Sequence, residues 1–221
     1  MTLTPINTIP SYPTELRPLL FGARLYDSSC SPEARVIFVD KDGGYFLKCA
    51  SKGALQREAL MTRYFHGKGL AAEVLSYVSA ENDWLLTAKI HGDDCTTAKY
   101  LEQPKRLCDI YAERLALLHA ADYKDCPIQK EKHAHPLKND TLLHGDYCLP
   151  NVILNNWEFS GFIDLDNSGV GDRHVDIFWG IWSLEFNLKT DKYRERFIDA
   201  YGRGRVDEDM LRIVGAREGS A

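Results

Sequence analysis

Residues 142–176 read LLHGDYCLPNVILNNWEFSGFIDLDNSGVGDRHVD and form the most informative segment of the sequence. Asp146 lies in a loop after a short predicted strand, and Asn151 stands just before the apolar run VIL. Asp164 ends the run FSGFID, which a hairpin turn at Asn155 and Asn156 joins to the preceding strand. The loop and the hairpin are therefore expected to bring three oxygen-bearing side chains to one place.

The residue types at these three positions suit a hard metal ion. An Asn amide and a carboxylate are ligands of the kind that Mg2+ prefers, with water and phosphate oxygens completing its shell. A second aspartate outside that shell is free to accept the proton of a hydroxyl nucleophile. Asp146, Asn151 and Asp164 thus form the polar set of a protein-kinase-type phosphoryl transferase. A structural alternative stays open, in which the HGD and FID residues only cap strand ends.

Upstream of this stretch the sequence is rich in predicted strands. Apolar runs between residues 19 and 88 are separated by turn-forming segments such as KDGG. The predicted strands are LLFGARLYD, RVIFVD, YFLKCA, VLSYVSA and DWLLTA. A helix is predicted over residues 54–66, because apolar residues recur there at helical spacing and glycines follow.

Beyond residue 88 the pattern changes. Residues 90–94 are polar and contain glycine, which predicts a linker, and Pro104 then begins a long amphipathic helix. From Asp176 onwards the pattern is helical again. This order predicts an α+β fold, with a β-rich lobe at residues 1–90, a mostly helical lobe at residues 91–221, and a binding site in the crevice between them.

Composition and charge restrict the class of protein. The chain has 221 residues, of which 44% are hydrophobic and 27% charged, which is typical of a globular fold with one domain or two small lobes. The net charge of −5 argues against nucleic-acid binding. Residues 93–221 carry 17 basic and 23 acidic residues, an imbalance that favours a cationic partner.

The cysteines and the hydropathy pattern predict the cellular setting. None of the six cysteines forms a C-x-x-C pair, and the chain begins without a signal-like apolar segment, which predicts a reduced, cytoplasmic protein. No run approaches the roughly 18 apolar residues that a membrane span requires, so no membrane association is expected. The sequence specifies no oligomeric state.

The segment HGDYCLPN, followed by FSGFIDLDNSGVGDRHVD, resembles the aminoglycoside phosphotransferase family and is most similar to its 3'-phosphotransferase (kanamycin kinase) branch. The resemblance is densest over residues 142–176 and extends more loosely over most of the chain. It implies a protein-kinase-like two-lobed fold, with a small β-rich N-terminal lobe and a mostly helical C-terminal lobe, and the use of ATP and Mg2+. It also implies that Asp146 is the catalytic base and that Asn151 and Asp164 bind the magnesium. Asp176 is implied to be a buried anchor that accepts hydrogen bonds from backbone N–H groups of the catalytic loop.

The first lobe contains the residues that the resemblance assigns to the nucleotide. Lys48 is centred in the apolar strand YFLKCA and is assigned to the α and β phosphates. A lysine in such a strand requires a partner, and Glu58 on the following helix is expected to pair with it. The alternative that Lys48 is an ordinary strand lysine stays open. The remaining assignments are Phe46 for stacking on adenine, the backbone of Ala88 and Ile90 for the adenine edge, and Ser28 and Ser29 for the phosphate loop.

The resemblance implies transfer of the γ-phosphate of ATP to the 3'-hydroxyl of an aminoglycoside antibiotic, and hence antibiotic resistance. Two segments of this chain differ from the family. The segment 128–143 is short and basic where family members usually carry a longer acidic insertion, and the tail VGAREGSA is neither acidic nor aromatic. The acceptor therefore stays open between an aminoglycoside and another small amino sugar or amino alcohol. A non-catalytic nucleotide-binding regulatory module is a third hypothesis.

Several further residues are singled out. Glu185 and Asp191 are candidates for the acceptor wall, although each also suits a solvated helix carboxylate. His144 is predicted to be a packed loop residue rather than an acid or base. Asp166 and Asn167 stand where the family more often has Gly and Arg. The basic residues of the short segment are Lys130, Lys132, His133, His135 and Lys138.

Overall fold

The chain is described by a computed structural model that covers residues 4–6, 12–30, 32, 34–129 and 136–218. It forms two compact units, residues 1–90 and residues 91–221. The first is built around a β-sheet and the second is mostly helical, which confirms the predicted α+β class. Among the described residues, no helix combines the length and the apolar character that crossing a lipid bilayer requires.

The described part of the first unit contains an antiparallel sheet and two α-helices. Its strands are Thr4–Pro5 (β1), Arg24–Asp27 (β2), Arg35–Asp40 (β3), Tyr45–Ser51 (β4), Val74–Ser79 (β5) and Asn82–Ala88 (β6). Its helices are Arg17–Leu20 (α1) and Gln56–Gly67 (α2). The strand order is β1-β2-β3-β4-β6-β5. Apart from the first predicted strand, the predicted strands and the predicted helix are present, with small shifts at their ends.

The prediction for the first strand was wrong in part. Leu19 and Leu20 belong to α1, and the strand begins only at Arg24. Pro18 lies in the first turn of α1, where its fixed φ suits a helix. Leu16 and Leu20 are both buried, because a spacing of four residues places them on the same side of the chain in helical conformation.

The two faces of this sheet pack differently. One face carries the larger apolar core, made of Leu16, Leu20, Ile37, Val39, Leu47, Trp84 and Leu86. On the other face, Ala50 and Leu85 pack with Leu55 and Ala59 at the start of α2. Because side chains alternate along a strand, Lys48 lies on the same face of β4 as Ala50. The alternation therefore turns Lys48 toward the face that α2 covers.

The second unit combines helices with short strands. Its described helices are Ala98–Leu101 (α3), Pro104–His119 (α4), Arg173–Leu188 (α5), Arg194–Tyr201 (α6) and Glu208–Glu218 (α7). Its described strands are Asp93–Asp94 (β7), Thr141–Leu143 (β8), Val152–Asn155 (β9), Glu158–Phe162 (β10) and Gly169–Gly171 (β11). Strand β9 pairs antiparallel with β10 and β7, and β8 pairs antiparallel with β11.

Two boundaries in this unit differ from the prediction. The β9–β10 turn consists of Asn156 and Trp157, not Asn155 and Asn156, and both residues have positive φ, 51° and 75°. Such a two-residue turn matches the right-handed twist of the strands that it joins. Helix α5 begins earlier than predicted because Asp172 caps it, its Oδ1 accepting a hydrogen bond from the His174 N–H at 2.9 Å.

Candidate active site

The loop that follows β8 carries the HGD residues. Gly145 has a φ of 85°, in the left-handed region that favours glycine. A Cβ at this position would lie 1.9 Å from the backbone oxygen of Asn167, so a residue with a side chain would force the two segments apart. The close approach joins the loop of Asp146 to the turn that follows Asp164. Two of the three predicted polar residues are thereby held in neighbouring segments.

Asp146 and Asn151 are in direct contact. The Asn151 Nδ2 donates to Asp146 Oδ2 at 2.9 Å and to the Asp146 carbonyl oxygen at 3.0 Å. The other carboxylate oxygen, Oδ1, accepts a hydrogen bond from the Cys148 thiol at 3.2 Å. Two donors thus orient a carboxylate that is still partly exposed. Sequence analysis missed Cys148, because a lone cysteine in a loop carries no spacing pattern.

Asp164 lies close to this pair. The Ile163 N–H donates to the Asn151 carbonyl oxygen at 3.1 Å, so Asp164 is one residue away from a backbone contact with Asn151. Asp164 is exposed and has a φ of 57°, a conformation that Asp tolerates better than most residues with a side chain. The structure therefore brings together the segments of all three residues that the motif spacing predicted.

The donor set of Asn151 and Asp164 fits Mg2+. Both contacts of Asn151 with Asp146 use Nδ2, so neither engages the amide oxygen, which is the atom that a cation would bind. The Asp164 carboxylate is exposed and supplies a charged oxygen. Within the described ranges, no group of three or more His, Cys, Asp or Glu residues is arranged to hold a metal ion. The arrangement suits a cation that keeps water and phosphate ligands rather than one enclosed by protein.

Asp176, in the first turn of α5, anchors the HGD loop. It is fully buried; its Oδ2 accepts from the His144 N–H at 2.7 Å and its Oδ1 from the Gly145 N–H at 2.8 Å. Oδ2 also lies 3.2 Å from His119 Nε2. Burial opposes ionisation of Asp176, but the hydrogen bonds from His119 and from the Gly145 backbone, with its other partners, outweigh it and lower the pKa of this carboxyl. The predicted anchoring contacts are confirmed.

His119 extends this anchor to α6, and sequence analysis missed it. Its Nδ1 lies 2.8 Å from the Tyr201 hydroxyl, and its Nε2 faces Asp176. Because a carboxylate can only accept, Nε2 carries the proton and Nδ1 accepts from Tyr201. Burial lowers the pKa of His119, although Asp176 opposes this effect, which favours the neutral ring. His119 and Tyr201 are 82 residues apart, so no local pattern connects them.

His144 is a packed side chain. It is fully buried, and its ring meets Phe162 edge-on at 5.5 Å and Tyr147 at 6.0 Å between ring centroids. Burial lowers the pKa of His144, while the negative charge of Asp176 acts in the opposite direction. The prediction that His144 is a packed loop residue is confirmed.

In the first unit, Lys48 and Glu58 form the predicted ion pair. The Lys48 Nζ lies 2.7 Å from Glu58 Oε1, and both side chains are largely buried. Strand β4 supplies the lysine and the first turn of α2 supplies the glutamate. A buried charge that loses its partner is strongly destabilising, so each side chain depends on the other. The contact of Lys48 with a nucleotide stays a prediction.

Phe46 and Ala88 are placed by the sheet. Phe46 lies on the same face of β4 as Lys48, and its ring centroid is 5.3 Å from that of Phe38. Ala88 ends β6, and its N–H donates to the Glu73 carbonyl oxygen at 2.9 Å. That N–H already donates to a backbone carbonyl oxygen. A contact between Ala88 and the adenine edge therefore has to use another backbone atom.

The two serines assigned to the phosphate loop take part in the β2–β3 connection. The Ser29 N–H donates to Asp27 Oδ1, and its hydroxyl accepts from the Val36 N–H, both at 2.9 Å. Ser28 is buried, and its N–H donates to the Val36 carbonyl oxygen at 2.9 Å. These contacts are structural, and a contact with phosphate stays a prediction. Ile90, assigned to the adenine edge, is the last residue of the first unit.

Part of the short basic segment and the acceptor-wall candidates are also placed. Lys138 is exposed, and its N–H donates to Asp172 Oδ2 at 2.6 Å. Burial raises the pKa of Glu185, and the charge of Asp191 adds to this effect, so the two carboxylates interact. The basic residues that lie outside the described residues are Lys130, Lys132, His133 and His135.

The sequence matches known phosphotransferases. Residues 129–212 match the phosphotransferase enzyme family. A probable aminoglycoside 3'-phosphotransferase from Lactococcus lactis is 48% identical over 249 aligned positions, which cover 95% of each chain. An aminoglycoside 3'-phosphotransferase from Niallia circulans is 30% identical over 168 positions, which cover 59% of this chain and 64% of that relative. The first alignment is longer than this chain, so the Lactococcus lactis relative contains residues that have no counterpart here.

Solved structures share the fold. A crystal structure of aminoglycoside-3'-phosphotransferase of type VIII has a TM-score of 0.76 at 22% identity, covering 90% of this chain and 94% of that chain. An aminoglycoside phosphotransferase from Streptomyces rimosus, in complex with ADP and streptomycin, has a TM-score of 0.69 at 19% identity, covering 86% of this chain and 90% of that chain. The predicted kinase-like fold is confirmed. With nearly half of the aligned residues identical over almost the whole of both chains, this chain belongs to the aminoglycoside phosphotransferase family.

Proposed function

We propose that this chain transfers the γ-phosphoryl group of ATP to an aminoglycoside, with the 3'-hydroxyl as the acceptor. The observation that carries the proposal is the contact of Asp146 with Asn151 in a loop that Asp176 anchors. The 48% identity to a probable aminoglycoside 3'-phosphotransferase supports the acceptor class. Residues 1–90 are proposed as the nucleotide-binding lobe, and residues 91–221 as the catalytic and acceptor-binding lobe.

Asp146 is proposed as the general base. Its carboxylate accepts the proton of the acceptor hydroxyl while that oxygen bonds to the γ-phosphorus, and ADP leaves. Each carboxylate oxygen already accepts one hydrogen bond, from Asn151 or from Cys148, and each keeps a further lone pair for the incoming proton. The two contacts fix the direction of the carboxylate without using up its capacity to accept.

Asn151 and Asp164 are proposed to hold Mg2+. When bound, the metal neutralises charge on the phosphate oxygens. Asn151 would then serve two purposes with different atoms, since Nδ2 orients the base and Oδ1 would be the atom that binds the cation. Base orientation and cation binding are therefore coupled through one side chain.

The nucleotide residues are proposed in the first unit. Lys48 contacts the α and β phosphates of ATP, and Glu58 holds the lysine ammonium in place. This pair is supported by its 2.7 Å contact and its burial. The supporting positions are Phe46 for stacking on adenine, Ala88 and Ile90 for the adenine edge, and Ser28 and Ser29 for the phosphates.

Charge supports a polycationic acceptor. Residues 93–221 carry 17 basic and 23 acidic residues, so a polyamine is attracted to this part of the chain. The attraction weakens with salt, because the Debye length falls to about 8 Å at physiological ionic strength. Specific affinity requires contacts such as those proposed for Glu185 and Asp191, and exposed ion pairs contribute only about 0.2–1 kcal/mol each. Affinity is therefore expected to be lower than in family members that have more acidic residues at the acceptor.

The test is ATP-dependent phosphate transfer to kanamycin and neomycin at low and moderate salt, with the product position determined by NMR. We expect 3'-phosphorylated product and a KM for the aminoglycoside that rises with salt. The Asp146→Asn variant, purified in the same way, controls for contaminating kinases. Transfer to another hydroxyl would reject the 3' position, and transfer to no aminoglycoside would reject the acceptor class.

A second candidate acceptor is another small amino sugar or amino alcohol. It is favoured by the residues of the Lactococcus lactis relative that have no counterpart here, because a shorter chain has less surface with which to enclose a large acceptor. A panel that includes glucosamine and small amino alcohols separates the two candidates. ATP binding without transfer to any acceptor would instead support a non-catalytic nucleotide-binding module.

A further inference from the structure

Asp83 in β6 is a buried carboxylate that the proposed mechanism does not use. Its side chain is fully buried, and its Oδ1 accepts from the Ser79 hydroxyl at 2.6 Å. Its Oδ2 accepts from the Tyr77 hydroxyl at 2.9 Å and from the Leu55 N–H at 3.0 Å. Burial opposes ionisation of Asp83, but these bonds and the Gly53 backbone outweigh it and lower the pKa. The carboxylate is therefore charged and held from several sides.

The Leu55 bond ties Asp83 to the start of α2. Leu55 is the N-cap residue of the helix, and its apolar side chain makes no capping hydrogen bond. A negatively charged acceptor at a helix N-terminus satisfies a backbone N–H donor and interacts favourably with the helix dipole. Asp83 supplies that acceptor from β6, 28 residues along the chain. A residue of the sheet thus fixes where α2 begins.

The start of α2 in turn fixes Glu58. Glu58 lies in the first turn of the helix, one turn from Leu55, and its Oε1 is 2.7 Å from Lys48 Nζ. Strand β6 pairs directly with β4, with Asp83 opposite Ala50 and Leu85 opposite Lys48. Asp83 therefore connects the strand beside Lys48 to the helix that carries its partner.

We propose that Asp83 is a positioning residue that holds the Lys48–Glu58 pair together by fixing the start of α2 against the sheet. The expected effect on ATP affinity rests on the proposed function. The geometry rests only on contacts within the first unit. Without the Leu55 bond, the first turn of α2 is free to shift, and the carboxylate of Glu58 moves away from Lys48.

The test measures the reactivity of Lys48 by reductive methylation and mass spectrometry, together with ATP affinity by calorimetry. Asp83→Ala should raise the methylation rate of Lys48 about tenfold, because an amine that has lost its ion pair is more available, and should weaken ATP binding by about tenfold. Ser79→Ala is the matched control, since it removes one partner of Asp83 and keeps the Leu55 bond. It should leave both quantities within about twofold of wild type.

Asp83→Asn is the milder variant and keeps the test decisive if Asp83→Ala does not fold. With the amide oxygen in the place of Oδ2, the Tyr77 hydroxyl and the Leu55 N–H still donate to it, and only the Ser79 hydroxyl must turn to accept from the NH2. Lys48 methylation should then stay within about twofold of wild type. Methylation as fast as in a Glu58→Gln variant would overturn the role of the Leu55 bond.

A double-mutant cycle separates positioning from general loss of stability. If Asp83 acts through Glu58, adding Asp83→Ala to Glu58→Gln should change Lys48 methylation by less than about twofold. Independent, additive increases would overturn the proposal, as would equal rates in Asp83→Ala and wild type. If the wild-type protein transferred no phosphate, the proposed function would be rejected. Faster methylation of Lys48 in Asp83→Ala would still support the role of Asp83 in positioning Lys48.

Discussion

The Asp176→Asn substitution tests the anchor of the HGD loop. Asp176 faces three N–H donors, from the backbone of His144 and Gly145 and from the His119 ring. Asn has nearly the same shape but only one acceptor oxygen, so its NH2 group must face one of the two backbone N–H groups. Because a backbone N–H cannot accept a hydrogen bond, two donors face each other at one of these contacts.

The expected cost follows from these contacts. One hydrogen bond to a charged group, about 1.5–3 kcal/mol, is lost, and a backbone N–H is left without a partner, which adds about 1–3 kcal/mol. We expect the free energy of unfolding of the second unit to fall by about 3 kcal/mol. At about 2–4 °C per kcal/mol for a chain of this size, Tm should fall by about 6–12 °C. Turnover should also fall, because the loop of Asp146 loses its support.

Urea unfolding followed by tryptophan fluorescence measures this change, since three of the four tryptophans lie in the second unit. Asp125→Asn is the control, because Asp125 is an exposed carboxylate of the same unit. It should shift the free energy of unfolding by no more than about 0.5 kcal/mol. An Asp176→Asn variant as stable as the control would refute the anchoring argument, even if its activity were low.

Three further predictions concern the chemistry and the acid stability. Asp146→Asn should lower kcat by roughly 10²–10⁴-fold with little change in ATP affinity, and wild-type turnover of this variant would exclude Asp146 as the base. Asp164→Ala should raise the Mg2+ concentration for half-maximal activity more than Asn151→Ala does, because Asp164 supplies the charge; a magnesium titration checks the order. Burial opposes ionisation of Asp172, but the hydrogen bond from His174 and further bonds lower the pKa to about 2. Its contribution to stability should be complete above about pH 4 and lost toward pH 2, so Asp172→Asn should flatten the acid limb of urea unfolding measured against pH.

Two of the predicted contacts are local in the chain, whereas the anchor of Asp176, 31 and 32 residues from its backbone partners, was predicted only from the resemblance to a family. Asp146 and Asn151 meet within one loop, and Lys48 meets Glu58 across a short connection between a strand and a helix, so residue spacing is enough to pair them. The supporting contacts depend on tertiary packing. His119 contacts Tyr201 only because α4 packs against α6. Hydrophobic periodicity of 2 or 3.6 residues indicates strands and helices, but not which helices pack together.

The two buried carboxylates of the anchor and of the sheet perform the same physical task with different partners. Asp176 and Asp83 each hold backbone N–H groups close to a residue with a proposed chemical role, Asp146 in one unit and Lys48 in the other. Both are ionised at neutral pH, because their hydrogen bonds outweigh burial and lower their pKa. They differ in what surrounds the remaining oxygen. Oδ1 of Asp83 faces the Ser79 hydroxyl, which can reverse its hydrogen bond, whereas both oxygens of Asp176 face N–H groups. The same Asp→Asn change should therefore be tolerated at Asp83 and costly at Asp176, although both side chains are equally buried.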